Sequence, residues 1–385
     1  MRQADGGPHC SSPMVFMTGP FPPPVHGMAV ATERLAARLG ARFTVRRFDI
    51  AARNHTGSRP VDLFLRVIKA AWTLISFTCL ILARRPQVVV TALSAGYANA
   101  FDLACVTLSL LARRRLYVTH HSFALFDGRV RHLLLRLARP LLRRCFHIAL
   151  CDHMKSQLCM GWGLDPARVA VLSNAALVEV RIESDESNAA LKHSVGYPFH
   201  LGFISNLCAD KGLWTFLDVV DRLQAAGDAV KATIAGPVEP ADTVFQQAFE
   251  QRLRRMNDVV WLGAVHGDAR TSFYAQLDLL VFPTVYVNES EPFVILEALA
   301  HGVPVIATPR GCIPSSLAHG LAVRTLPEED FVHSAAATIS ADLRRSFTTQ
   351  PSRKLLSIRH YRRLRMAGDR QFETLIAGMG CQPAR

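Results

Sequence analysis

Two acidic residues eight positions apart, Glu289 and Glu297, bracket the start of the helix-forming run FVILEALA, which ends before Gly302. Pro292 suits the first turn of that helix, because its missing N–H would have no partner there. The free N–H groups and positive dipole end of a helix start hold anions such as phosphate, here through the backbone around Pro292, Phe293 and Val294. Acids in such a loop are ordinarily solvated, and that reading stands open for Glu289 and Glu291. Glu297 argues against it, since a single carboxylate on an otherwise apolar helix face needs a partner. Upstream, the segment GFISNLCADKGLWTF puts Lys211 before Gly212 at another helix start. There it is placed to pair with a pyrophosphate, the alternative being a surface lysine.

The first half of the chain adds two further candidates. Gly27 lies where a proline-stiffened loop enters a helix, so backbone N–H groups could approach a phosphate closely, or the loop is a plain strand-to-helix turn. His120 and His121 lie in THHS at the end of a strand. A histidine there is either a structural hydrogen-bonding residue or a catalytic one.

The elements that must hold these residues alternate. Apolar, β-branched runs at 13–19, 87–93, 115–122, 146–151 and 169–175 are separated by helical stretches, and a second series follows at 199–204, 230–236, 259–263, 278–283, 303–308 and 320–325. This is the pattern of parallel, doubly wound α/β sheets, whose ligands collect at the carboxyl ends of strands. Acids, serines and an asparagine break the apolar pattern over 178–198 and read as the linker. Neither GxGxxG nor GxxxxGK[ST] occurs, so the dinucleotide and P-loop readings lose support.

From Glu289 through ALAHGVPVIAT the sequence resembles the GT-B glycosyltransferases, and within them retaining family 4, the glycosyl transferases group 1. The resemblance implies two Rossmann-like domains facing across a cleft, over residues 1–180 and 181–352, with a terminal helix in 353–385 returning to the first. It implies transfer of a hexose from a nucleotide diphosphate sugar to an acceptor hydroxyl. By carry-over, Glu297 receives the nucleotide ribose, and Glu289 binds sugar hydroxyls and steadies the oxocarbenium ion. Gly27 and Lys211 lie near the donor phosphates, and His120, with His121 as the alternative, touches the sugar. Family members carry an arginine five residues before the lysine. Here that position is Asn206, so a bidentate phosphate donor is missing, and Lys211 with backbone amides, or Arg310, must supply its charge. With no Asp-x-Asp motif in the chain, the reaction is expected to need no metal and no cofactor. A non-hydrolysing sugar epimerase and a catalytically silent partner in polysaccharide assembly are the alternatives.

Composition bounds the rest. At 385 residues, half of them hydrophobic, the chain can fill two cores. Its net charge is +13, and residues 1–190 hold 24 Lys/Arg against 12 Asp/Glu. The nine cysteines form no CxxC pair, and the polar N-terminus lacks a signal-peptide segment, so a reduced cytoplasmic setting is expected. The longest uncharged apolar helical run, 70–83, is too short to span a bilayer and reads as a buried helix. The segment 129–146 sets six arginines among leucines without one acid, the pattern of an interfacial helix on anionic lipid, broken at Pro140. Arg136, Arg139, Arg143 and Arg144 are its candidate membrane contacts, and a core helix with a solvated basic back is the alternative. No aromatic residues are interleaved for base stacking, so nucleic acid is not an expected partner. Expected partners are the sugar nucleotide, a saccharide or lipid-linked acceptor, and an anionic membrane face.

Overall fold

The structure is a computed structural model, described for residues 13–51, 59–94, 98–123, 133–179, 198–238, 242–318, 322–344 and 350–380. The first half runs β1 (Met14–Gly19), α1 (Gly27–Gly40), β2 (Thr44–Asp49), α2 (Arg59–Arg84), β3 (Val88–Leu93), α3 (Ala98–Leu111), β4 (Arg115–His120), α4 (Leu133–Leu137), α5 (Arg139–Leu142), β5 (Phe146–Ala149), α6 (Asp152–Trp162) and β6 (Val169–Val171). The second runs β7 (Phe199–Ile204), α7 (Leu213–Ala225), β8 (Val230–Ala235), α8 (Thr243–Leu253), β9 (Val259–Trp261), α9 (Gly267–Ala275), β10 (Leu279–Phe282), α10 (Phe293–Ala300), β11 (Val305–Ala307), β12 (Val323–Thr325), α11 (Phe331–Arg344) and α12 (Gln350–Gly378). Most of the 178–198 linker lies outside the described residues.

Each half is built on one six-stranded sheet with every neighbouring pair parallel, ordered β2-β1-β3-β4-β5-β6 and β12-β11-β10-β7-β8-β9. Helices cover both faces, which is why central strands such as VVVTAL and FHLGFI are buried along their whole length. The doubly wound expectation is met for both halves. One strand goes beyond it: β2, TVRRFD, exposes two arginines at a sheet edge and shows no apolar run.

Helix α12 bridges the halves. Its start is held by paired Arg353–Asp342 contacts at 2.6 Å, while further along Arg38–Asp369 at 2.7 Å and Arg42–Glu373 at 3.5 Å tie it to α1 and the turn that follows α1. Gly368 allows the approach, since a Cβ there would sit 2.8 Å from the Ala176 amide nitrogen. Phe372, Leu375, Ile376 and Met379 then join the same buried cluster as Val15, Met17 and Val90 of the first sheet.

One expectation, for the apolar run 70–83, is corrected. Helix α2 is 26 residues long, not 14, and it turns a broad apolar side to solvent instead of being buried. Hydropathy misreads it because apolar residues occupy both faces, and only Thr73, Phe77, Ile81 and their neighbours find a core. The described part of the arginine segment forms two short helices that part at Ala138, two residues before the expected break at Pro140. Leu135 and Leu142 enter the core, Arg136 and Arg144 face solvent and Arg139 is half-buried. Arg143 donates to the Trp162 carbonyl at the end of α6 (3.3 Å).

Candidate active site

The second sheet delivers its loops to one place. β10 ends at Phe282, and Thr284, two residues on, donates from Oγ1 to Glu289 Oε2 at 3.0 Å. Lys211 Nζ lies 2.7 Å from the same oxygen and 4.2 Å from the centroid of the Tyr286 ring. Among the described residues no hydrogen bond reaches Glu289 Oε1. The carboxylate is therefore oriented through one oxygen.

Two glycines let the chain close around this pair. Gly212 caps α7 in a left-handed conformation (φ 83°), and a Cβ on it would lie 2.1 Å from the Pro283 carbonyl oxygen. Gly311 (φ 56°) lies against the Glu289 loop, where a Cβ would meet the Ser290 and Glu289 oxygens at 2.5 and 2.6 Å. No other residue type fits either position without moving a backbone.

Pro292 is the N-cap of α10, one position earlier than its expected place in the first turn. Ile295 N–H is taken by the Pro292 carbonyl at 3.2 Å, so the amides of Phe293 and Val294 head the helix. Glu297, in the second turn, is buried with both oxygens engaged. Oε1 faces Arg34 of α1 at 3.2 Å, and Oε2 receives Arg270 Nε at 2.9 Å and Tyr274 OH at 3.1 Å. Arg34 also lies over the Phe293 ring, 4.7 Å from its centroid. The partners that an acid on an apolar helix requires are thus Arg270 and Tyr274 of its own half, with Arg34 joining them from the first half. Sequence reasoning did not find Arg34, Arg270 or Tyr274, because no local pattern links them to Glu297.

The first half supplies the opposite wall. His26 caps α1, its Nδ1 accepting from Ala29 N at 3.4 Å, and burial lowers its pKa, which keeps that acceptor free of a proton. Gly27 opens the helix with nothing within 4 Å of its missing Cβ. Asn206 Nδ2 donates across the halves to the Val25 carbonyl at 3.1 Å, and Ser122 Oγ to Asn288 Oδ1 at 3.0 Å. Arg310 pairs with Glu328. The buried Glu291 carboxyl accepts from Ser173 Oγ at 2.9 Å and from the Asn174 amide. Burial pushes its pKa up to about 8 despite those bonds.

His120 is corrected. Its ring is fully buried and edge-on to Trp162, with Nε2 2.9 Å from His147 Nδ1. His147 Nε2 lies 2.9 Å from the Leu142 carbonyl, which can only accept, so His147 presents its bare Nδ1 to His120. Burial holds both neutral, His120 well below its usual range and His147 at about 4. His120 therefore belongs to the core of the first half. His121, on the other face, is half-buried, bonds Thr119 Oγ1 at 3.1 Å and lies within electrostatic reach of His26. It is the histidine placed on the side of the α1 loop. Among the described residues no group of three or more His, Cys, Asp or Glu side chains is arranged to hold a metal ion.

The comparisons with known proteins agree with this architecture. A glycosyltransferase of Methanocaldococcus jannaschii is 25% identical over 186 residues, covering 46% of this chain and 45% of that protein. The gpi3 subunit of phosphatidylinositol N-acetylglucosaminyltransferase from Schizosaccharomyces pombe is 25% identical over 179 residues, 46% and 37% of the two chains. The match thus spans less than half the length of either relative. In fold, the chain is similar to HepE of Anabaena, solved with UDP and glucose, with a TM-score of 0.66 over 94% of this chain and 99% of that one at 17% identity. The two parallel sheets are those of GT-B structures. The family model for glycosyl transferases group 1 matches residues 198–344, so the second half of this GT-B chain carries a domain of that family.

Proposed function

We propose that the protein is a retaining glycosyltransferase that moves a hexose from a nucleoside diphosphate sugar to an acceptor hydroxyl. The observation that carries this reading is the Lys211–Glu289 pair at 2.7 Å beside the head of α10, at the strand ends of the group 1 domain. UDP in the HepE structure supports a uridine nucleotide as the first donor to try.

The chemical demand is the negative charge that develops on the departing diphosphate. Lys211 and the amides of Phe293 and Val294 meet it without a metal ion. As the bond between the anomeric carbon and the phosphate oxygen breaks, Glu289 Oε1 faces the positive charge left on the sugar. The acceptor oxygen attacks from the side the phosphate leaves, and its proton passes to that phosphate. Glu297 and Arg34 hold the two walls together, and the ribose binds where Arg34 now sits. The acceptor is a saccharide or lipid-linked hydroxyl, in polysaccharide or glycolipid assembly at the cytoplasmic face of the membrane.

Sugar transfer measured in EDTA tests the reading. Wild type retains its rate, whereas Glu289→Ala and Lys211→Ala each lose about 10²–10³ in kcat. Near-normal turnover in both variants overturns it. A second reading has its own observation: Asn206 is spent on the Val25 carbonyl and brings no charge to the phosphates. Donor binding by calorimetry with no transfer to any acceptor favours a silent partner of an assembly complex. Epimerised donor without acceptor favours an epimerase.

A further inference from the structure

Helix α2 is fixed to the first sheet by one side only. Phe77 packs edge-on against Phe48 (5.1 Å) and Phe16 (6.2 Å), and Thr73 and Ile81 are buried beside it. On the outer side Val61, Phe64, Ile68, Trp72, Ile75 and Leu82 recur every three, four or seven residues, which makes them one stripe. Trp72 is 70% exposed, and Phe64 and Leu82 are each 64% exposed. A 26-residue helix is about 39 Å long, so the stripe far exceeds the scattered apolar residues of an ordinary surface.

Its surroundings indicate what covers it. Residues 50–126 contain nine Lys/Arg and only two acids, Asp62 and Asp102, the latter fully buried. Arg66 and Arg84 project from the helix itself, Arg85 follows its last turn, and Arg113 stands just past the end of the neighbouring α3 near Leu111, which is 75% exposed. A long apolar stripe rimmed by cations, nearly free of acids and bearing an exposed tryptophan, complements a bilayer surface of anionic headgroups over acyl chains. Although Pro60–Arg84 is long and apolar enough to cross a membrane, its packing on the sheet keeps it flat.

We propose that α2 is a docking helix that lies in the interface of an anionic phospholipid bilayer, with its outer stripe in the acyl region and its arginines on phosphates. The surface is distinct from the arginine segment around α4 and α5. It also stands apart from sugar transfer, since vesicle binding reads α2 and donor binding reads the site.

Flotation of the full chain with phosphatidylcholine vesicles, with and without phosphatidylglycerol, tests it. Wild type floats with the mixed vesicles, and brominated acyl chains quench Trp72 fluorescence, identified by its loss in Trp72→Phe. Phe64→Ser with Trp72→Ser weakens binding roughly tenfold or more per side chain, while the thermal melt and nucleotide-sugar binding stay unchanged because both residues are exposed. Arg84→Gln with Arg85→Gln weakens only the binding that depends on phosphatidylglycerol. Three results overturn the proposal: no flotation of wild type, equal flotation of wild type and the double serine variant, or a lipid-free dimer that the serine variant dissolves and that does not float. The last would make a second copy the occupant.

Discussion

Glu289 and Lys211 are both largely buried, and that burial makes their pairing costly to break. Removing the ammonium leaves a carboxylate without compensation, a loss of about 3–5 kcal/mol for a buried pair. Lys211→Ala with Glu289→Gln is therefore expected to melt above Lys211→Ala alone, although both are inactive; a scanning melt that places the double variant lower refutes the pairing. Glu291 behaves in the opposite sense. Its folded pKa of about 8 lies above its ordinary value, so the stability it contributes is present in acid and is lost as pH rises through 8. Glu291→Gln should melt a few degrees above wild type at pH 9 and level with it at pH 5, and a wild-type advantage at pH 9 would contradict the assignment. Glu289 and Lys211 were legible because spacing within a loop–helix unit is local. The Arg34–Glu297 contact was not, since nothing in the run around Arg34 marks which of its neighbours faces the other half.

At the scale of elements, the strand that carries His120 and His121 shows where a sequence stops speaking. Successive side chains face opposite sides of a sheet, but both faces here are covered, so alternation cannot say which histidine meets the cleft. The buried histidines have a measurable consequence. His121, His147 and His200 have folded pKa values near 4, below their ordinary value, so their contribution is present above pH 6.5 and is lost as pH falls toward 4. The melting temperature should fall steadily from pH 7 to pH 4.5; a flat profile contradicts their neutrality. The turn at Gly311 gives a sharper local test. Gly311→Ala forces a Cβ against the Glu289 loop in a left-handed conformation, costing about 1–3 kcal/mol. Donor binding should fall by more than the melt alone explains, and unchanged donor binding would show that the loop tolerates the shift. The central strands were readable from their apolar runs. The edge strand β2 was not, because its arginines need only one sheet neighbour. Helix α2 was half readable: its apolar character is plain in the sequence, but which side finds a core depends on the sheet beneath.

Across the molecule, two independently built sheets are held by a few specific ties: α12, the Glu291 contact with Ser173 and Asn174, Asn206 on Val25, and Arg34 on Glu297. Asn206 is one such tie: at the position where the family resemblance implies an arginine, the asparagine fastens one half to the other through the Val25 carbonyl. The most direct measurement is a calorimetric titration in EDTA, using the sugar nucleotide that most raises the melting point in a screen starting from uridine diphosphate sugars. Wild type should bind, Lys211→Ala should bind roughly tenfold or more weakly as a charge-assisted contact is lost, and Arg310→Ala should match wild type. Equal affinity in wild type and Lys211→Ala, or binding that appears only when a divalent metal is added, would contradict the account.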